Sequence, residues 1–332
     1  MATHLVHIVD RFEVPWSGSA LSALALGNLL GKDAAVRFWS LDNPHSCYQN
    51  YSILPINTAY DRHPTGGTLV IHGSHYDLGP WVPMTDAERV ILVCNVHGPS
   101  QLFRNIAKLR EAGLPEPEIA YRSRALRDQA AIEGIIEPPL IDIDLFRPDT
   151  SGARDRFTIG RMSRDNLGKH NEDDPSLYRM LAASGCRLRI MGGTCLEPYL
   201  GPDRVGIELL ETGSMPAHRF LQGLDCFFYR TGTLEEAFGR VLLEAMATGL
   251  PVVAHRRGGH LDWLRSGENG FLFDSQEEAY DLLIGLRDDA AKRLHIGEAA
   301  RASVEELYGA KALDKRRRWY LSGRITLKES DD

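Results

Sequence analysis

Two glutamates eight residues apart pose the chemical question in this chain. The segment EEAFGRVLLEAMATGLPVVA, residues 235–254, places Glu236 ahead of a helical stretch and Glu244 inside it. Ala, Met, Leu and Glu favour a helix over Gly239–Thr248; Gly249 is placed to stop it and Pro251 cannot continue it. The stretch is largely apolar, so it packs inward, and a carboxylate buried with it needs a partner. A ribose is one such partner, because a single carboxylate accepts hydrogen bonds from both hydroxyls of a vicinal diol. An arginine elsewhere in the chain is the ordinary alternative for Glu244, just as Glu235 and Glu236 could simply favour the helix start. The N–H groups near Phe238 and Gly239 add an anion site with a favourable dipole. A phosphate cradle, a diol acceptor and a second carboxylate in one segment suit a nucleotide carrying a polyhydroxylated group.

Alternating apolar runs and helical stretches must position these residues. HLVHIV (4–9), TLVIHG (68–73), RVILVCNVHG (89–98), FTIGRMS (157–163), RLRIMGG (187–193), CFFYR (226–230) and PVVAH (251–255) read as buried strands, and SALSALALGNLL (19–30) as a helix lying on them. Buried strands separated by helices predict an α/β fold, with parallel sheets covered on both faces. The pattern occurs twice, and a Pro-rich break at 137–156 separates the halves. The expected division is 1–148 for the first domain, 149–310 for the second, and a basic C-terminal helix or tail over 311–332 packing back toward the first. Ligands of such sheets bind beyond the carboxyl ends of the strands, in the cleft expected where two such domains face each other. The loops to search follow Val9, His72, His97, Gly160, Gly192 and Tyr229.

Composition narrows the function classes. At 332 residues and a formal charge of −7, the chain is long enough for two domains and poorly suited to nucleic acid. No signal segment or membrane-spanning helix is expected, and the five scattered cysteines form no CxxC pair, which points to a cytoplasmic protein. His72 and His75 make an HxxH pair without a third ligand beside it, so no metal site is expected. The C-terminal KALDKRRRWYLSGRITLK reads as a solvated basic helix end, with peripheral contact to anionic lipid at the inner face of a membrane as the alternative.

The run 235–273, ending GGHLDWLRSGENGFLF, resembles the donor-binding signature of the retaining GT-B glycosyltransferases of the group 1 type, glycosyltransferase family 4. Asp262 stands where that family usually has Glu. IGRMSRDNLGKH (159–170) resembles the family's Gly-Arg…Lys loop, NVHG (95–98) its strand-end histidine, WSGSA (16–20) its glycine-rich first loop, and PPLIDIDLFRP its hinge. The resemblance implies two doubly wound Rossmann-like domains with an interdomain cleft. It implies Glu236, His97, Arg161 and Lys169 as catalytic, and Gly18, Arg164, Phe238, Gly239, Arg240 and Glu244 as donor-binding.

The same resemblance implies transfer of a sugar from a nucleoside diphosphate donor, with retention, to a saccharide or lipid-linked acceptor, in bacterial polysaccharide or glycolipid synthesis. It implies no cofactor and no metal: Arg161 and Lys169 would stabilise the leaving diphosphate as charge grows on it. The one Asp-x-Asp triplet, Asp142-Ile143-Asp144, falls in the hinge. A catalytically silent nucleotide-sugar-binding subunit, a nucleotide-sugar epimerase and a phosphorylase are the other classes. Donor binding without turnover on any acceptor marks the first, donor conversion without acceptor the second, and a cofactor lysine the third.

Overall fold

Continuous apolar runs such as Val90–Val93 have no polar face to offer water, so they become central strands covered on both sides. A computed structural model of the chain describes residues 4–15, 17–149 and 155–322. Trp16 of the first glycine-rich loop, residues 150–154 of the expected hinge and residues 323–332 of the expected tail lie outside the described residues. The chain divides into two compact units: the described residues up to Leu140 together with those from Gly309 onward, and Ile141–Tyr308.

The first unit runs β1 (His4–Asp10), α1 (Gly18–Leu30), β2 (Ala34–Ser40), β3 (Ile53–Pro55), β4 (Thr68–Ile71), β5 (Arg89–Cys94), α2 (Ser100–Glu111), β6 (Glu118–Tyr121), α3 (Arg124–Ala130) and β7 (Ile135–Ile136). Its seven strands are all parallel, in the order β3-β2-β1-β4-β5-β6-β7. The second unit runs β8 (Thr158–Met162), α4 (Asp174–Ala183), β9 (Arg187–Met191), α5 (Glu197–Leu200), β10 (Ile207–Leu210), α6 (Ala217–Gln222), β11 (Cys226–Tyr229), α7 (Arg240–Ala247), β12 (Val252–His255), β13 (Phe271–Phe273), α8 (Gln276–Asp288) and α9 (Ala290–Tyr308). Its six strands are also parallel, in the order β10-β9-β8-β11-β12-β13. The expected parallel α/β organisation is present in both. The sequence reading missed β2, β3, β6, β7, β10 and β13.

Strand order reverses between β1 and β4 in the first sheet and between β8 and β11 in the second. Loops leaving these neighbours diverge to opposite faces and open a crevice, the usual ligand position in such sheets. The second unit's core packs Tyr178, Leu181, Ile190, Phe228 and Leu283 around the sheet. From α9, Arg301 donates to the carbonyls of Ile143, Phe146 and Ala247, fixing the chain before β8 to the end of α7. The basic helix α10 (Ala310–Ser322) packs on α1 of the first unit. Trp319 and Tyr320 are buried there, Arg89 donates to both of their carbonyls, and Arg317 pairs with Asp33. No helix among the described residues is long and apolar enough to cross a membrane.

Candidate functional site

In the second unit, the loops after β8 and β11 leave adjacent strands and are tied to each other. The β8 loop ends in a 3-10 turn, Leu167–Lys169, capped by Asn166, whose side chain accepts the Gly168 N–H at 2.8 Å. The Leu234 N–H of the β11 loop donates to the Gly168 carbonyl at 2.9 Å. Gly232 lies so close to the His170 carbonyl that a Cβ there would collide with it. This junction sets Lys169 Nζ 3.0 Å from Glu236 Oε2. Tyr229, the last residue of β11, donates its hydroxyl to the same oxygen at 2.6 Å, and the Gly239 N–H reaches Oε1 at 3.2 Å. The side chains of Lys169 and Glu236 are 14% and 18% exposed.

Burial raises the pKa of the Glu236 carboxyl, but the Lys169 charge, the Tyr229 hydroxyl and the Gly239 N–H outweigh it and hold the group below the ordinary glutamate value. The result is an ionised carboxylate and an ammonium side by side at a strand crossover. Their backbone is fixed as well. The Gly259 N–H donates to the Glu236 carbonyl at 2.8 Å, and a Cβ on Gly259 would overlap Ala237. Gly239, at φ +90°, makes the turn from this loop into α7, a conformation that disfavours any side chain. The Gly-Gly pair at 258–259 therefore does local work, holding the loop that carries Glu236.

Arg161 is not on the loop. It lies within β8 and is fully buried, its guanidinium over the Tyr229 ring at 5.2 Å. It donates to the carbonyls of Lys169 and Arg230, one from each loop, and its charge faces the buried Asp174, which also accepts from Arg230 Nε at 2.8 Å. The expected phosphate-binding cation thus lies beneath the two loops, with no exposed surface. Arg164, on the β8 loop itself, is exposed.

The helix expected over 239–248 runs Arg240–Ala247. The Gly239 N–H expected to face an anion is taken by Glu236. Phe238 is buried against Trp263, with ring centroids 5.7 Å apart. Glu244, 6% exposed, accepts from Arg240 Nε at 2.7 Å within the same helix, so the arginine partner it needed lies one turn away. Of the expected site residues, the structure brings Lys169, Glu236 and Gly239 together, puts Arg161 below them, and pairs Arg240 with Glu244. Sequence reasoning missed Tyr229, Arg230 and Asp174. Only Tyr229 had a signal, its position at the end of a buried strand.

Gly18 and His97 belong to the first unit. Gly18 opens α1, with open space where a Cβ would lie. His97 is half-buried in the loop after β5. The strand crossover of this unit holds a buried carboxylate of its own. Asp10, at the end of β1, accepts the Ser19 hydroxyl at 2.5 Å and the Arg11 N–H at 2.6 Å, and Asn95 Nδ2 donates to that hydroxyl at 2.8 Å. Burial pushes Asp10 up to about 6 against the pull of Ser19, the Arg11 N–H and the Arg122 charge. His72 is fully buried beyond β4, and burial pushes its pKa well down. Among the described residues no group of three His, Cys, Asp or Glu side chains is placed to hold a metal. Asp142 of the Asp-x-Asp triplet instead caps a turn, accepting the N–H groups of Asp144 and Leu145.

The profile of the family "Glycosyl transferases group 1" matches residues 209–303, the stretch that carries Glu236, α7 and Gly259. A GDP-mannose-dependent alpha-(1-6)-phosphatidylinositol monomannoside mannosyltransferase of Mycobacterium tuberculosis is 30% identical over 268 residues, 68% of this chain and 68% of that protein. The chain belongs to the group 1 glycosyltransferases. The fold of this glycosyltransferase agrees: an Anabaena protein, HepE, solved in complex with UDP, superposes with a TM-score of 0.73 over 97% of this chain and 100% of that one, at 16% identity. The two parallel sheets are therefore those of the GT-B architecture expected from the sequence. A sucrose synthase of Acidithiobacillus caldus is 41% identical over 81 residues, which span 23% of the glycosyltransferase and only 10% of that protein.

Proposed function

We propose that this glycosyltransferase moves a sugar from a nucleoside diphosphate donor to a saccharide or lipid-linked acceptor, with retention of configuration and without a metal ion, in the synthesis of a bacterial polysaccharide or glycolipid. The observation that carries this reading is the Lys169–Glu236 pair at the crossover of the second unit. An ammonium has three donors, so Lys169 can hold Glu236 and still offer hydrogen to a diphosphate oxygen. As the bond from the anomeric carbon to the diphosphate breaks, charge grows on the leaving oxygen, and a fixed cation there stabilises the transition state more than the ground state. The acceptor oxygen bonds to the anomeric carbon on the same face, and its proton passes to the departing diphosphate. Glu236, ionised and held by three donors, accepts hydroxyls of the donor sugar rather than attacking it.

Arg161 acts as a positioning residue through the Lys169 and Arg230 carbonyls, and the exposed Arg164 supplies the second phosphate cation. Glu244, oriented by Arg240, accepts the ribose diol. The relatives support a nucleotide donor: the mycobacterial protein is named for GDP-mannose, and HepE was solved with UDP-glucose.

Thermal melting with UDP, GDP, ADP, dTDP and CMP, in EDTA, tests the donor. One nucleoside diphosphate at a hundred times its Kd should add about 2.7 kcal/mol, or roughly 5–10 °C. No shift with any of them overturns the donor reading. With the matching nucleotide sugar, loss of turnover in EDTA or a product of inverted anomeric configuration overturns the metal-independent or the retaining assignment respectively.

A further inference from the structure

The protein itself occupies most of the Glu236 carboxylate, and that occupancy limits what a ligand can place there. An ionised carboxylate offers about four lone-pair sites, two on each oxygen. Oε2 takes two donors from the protein, Lys169 Nζ at 3.0 Å and the Tyr229 hydroxyl at 2.6 Å. Oε1 takes one, the Gly239 N–H at 3.2 Å. One site is left, and it is on Oε1.

The two donors on Oε2 differ in kind. Lys169 ends a flexible stem and has two further N–H groups to offer elsewhere. Tyr229 has no such freedom. It closes β11 and is buried, with the Phe227 ring stacked at 6.4 Å and the Arg161 guanidinium 5.2 Å over its own ring. A buried hydroxyl needs a hydrogen-bond partner, and Glu236 Oε2 is the one it has. Burial and the Glu236 charge push the phenol well above its ordinary pKa, so it stays a donor. Its hold on Oε2 also stops the carboxylate from turning about its last bond, a torsion that is otherwise soft.

We infer that Tyr229 is a specificity-determining residue: by occupying Oε2 it restricts Glu236 to a single hydroxyl of the donor sugar, where an open carboxylate would take a vicinal pair. Tyr229 acts through Glu236, as a positioning residue. The inference rests on the nucleotide-sugar reading of that site.

The probes are the glucose, galactose, mannose and N-acetylglucosamine esters of the nucleoside diphosphate that shifts the melt, then the monodeoxy analogues of the tightest binder. Each is titrated by calorimetry against wild type, Glu236→Gln and Tyr229→Phe. Dividing each Kd by that of the bare diphosphate leaves only the contribution of the sugar. Removal of one hydroxyl should weaken binding about tenfold in wild type and leave Glu236→Gln unaffected. Removal of any other should weaken both alike. In Tyr229→Phe that penalty should fall to about threefold, and a neighbouring position should acquire one of similar size, because the freed carboxylate can present both oxygens.

Two or more positions coupled to Glu236 in wild type, no coupled position, no ester tighter than the bare diphosphate, or the wild-type pattern retained in Tyr229→Phe each overturns the inference while the nucleotide shift keeps the donor reading. Should Tyr229→Phe not fold, the wild-type and Glu236→Gln series still decides the count of hydroxyls. Absence of any nucleotide shift removes the transfer reading, and this inference with it.

Discussion

A carboxylate lies at the crossover of each sheet, Glu236 in one and Asp10 in the other, and the two titrate in opposite directions. Glu236 is met by an ammonium, a phenol and a backbone N–H, and is held below the usual glutamate range. Asp10 is met by a hydroxyl and a backbone N–H, has no ammonium beside it, and rises to about 6. Burial penalises the anion in both; at Glu236 the Lys169 charge leads the contacts that outweigh it. One side keeps a fixed charge pair; the other keeps a carboxyl that gains or loses a proton near neutrality.

The largest test removes the cation that makes the difference. Lys169→Met should leave Glu236 with burial and neutral donors, raise its pKa, and lower kcat/KM for transfer by about 10²–10³-fold, as when a preorganised donor to a developing oxyanion is lost. Initial rates across pH 5–8 check both parts: the rate should fall, and the acid limb of the profile should move to higher pH. An unchanged rate would sever the Lys169–Glu236 pair from the chemistry and end the contrast.

The next test works on the other carboxylate and is read as stability. Asp10 has a folded pKa of about 6 against an ordinary value of 3.8, so the folded state binds more protons between these values and stability falls as pH rises through that window. The full penalty, about 3 kcal/mol at pH 7, comes from 1.36 kcal/mol per pKa unit. Asp10→Asn removes it and gives back about 1 kcal/mol by weakening the bond from Ser19. The variant should therefore be more stable than wild type by about 2 kcal/mol at pH 7, the gain vanishing near pH 4. Urea denaturation of both proteins at each pH measures the difference. The difference is the quantity to read, because buried histidines pull the wild-type curve the other way: burial lowers His170 to about 4 and also pushes His72 well down, so their stability is full above pH 6.5 and lost as pH falls.

What the sequence showed follows the same line between local and distant partners. Long apolar strands such as β5 were legible because burial on both faces leaves no polar alternation to confuse the reading. β2 hides because Arg37 interrupts AAVRFWS, and β3, β7 and β13 hide because two or three residues carry no period. Glu236 and Lys169 were singled out by the family resemblance. Their geometry was not, because it depends on β8 and β11 lying side by side, which brings together residues 67 positions apart. Arg161 fell inside the strand read over 157–163, but a strand reading does not say which way its side chain turns. Its position inside β8 sends the guanidinium under the loops, and Asp174, which its charge faces there, gave no signal at all.

The third carboxylate gives the smallest effect. Glu244 is as buried as Asp10 but carries its own cation one turn away, in Arg240. A local i to i+4 pair needs no tertiary structure, so it satisfies the charge without fixing it to another element. A ribose diol would share that carboxylate with Arg240. Glu244→Gln keeps the shape and removes the charge. Nucleotide affinity should then fall about tenfold, or roughly 1.4 kcal/mol, while the melting temperature without nucleotide stays within a few degrees of wild type. Titration calorimetry with the diphosphate that shifts the melt measures the first, and calorimetric melting the second. Equal affinity in Glu244→Gln and wild type would leave the carboxylate a purely internal partner of Arg240. Loss of affinity in Arg240→Met as well would show that the arginine aims the carboxylate rather than competing for it.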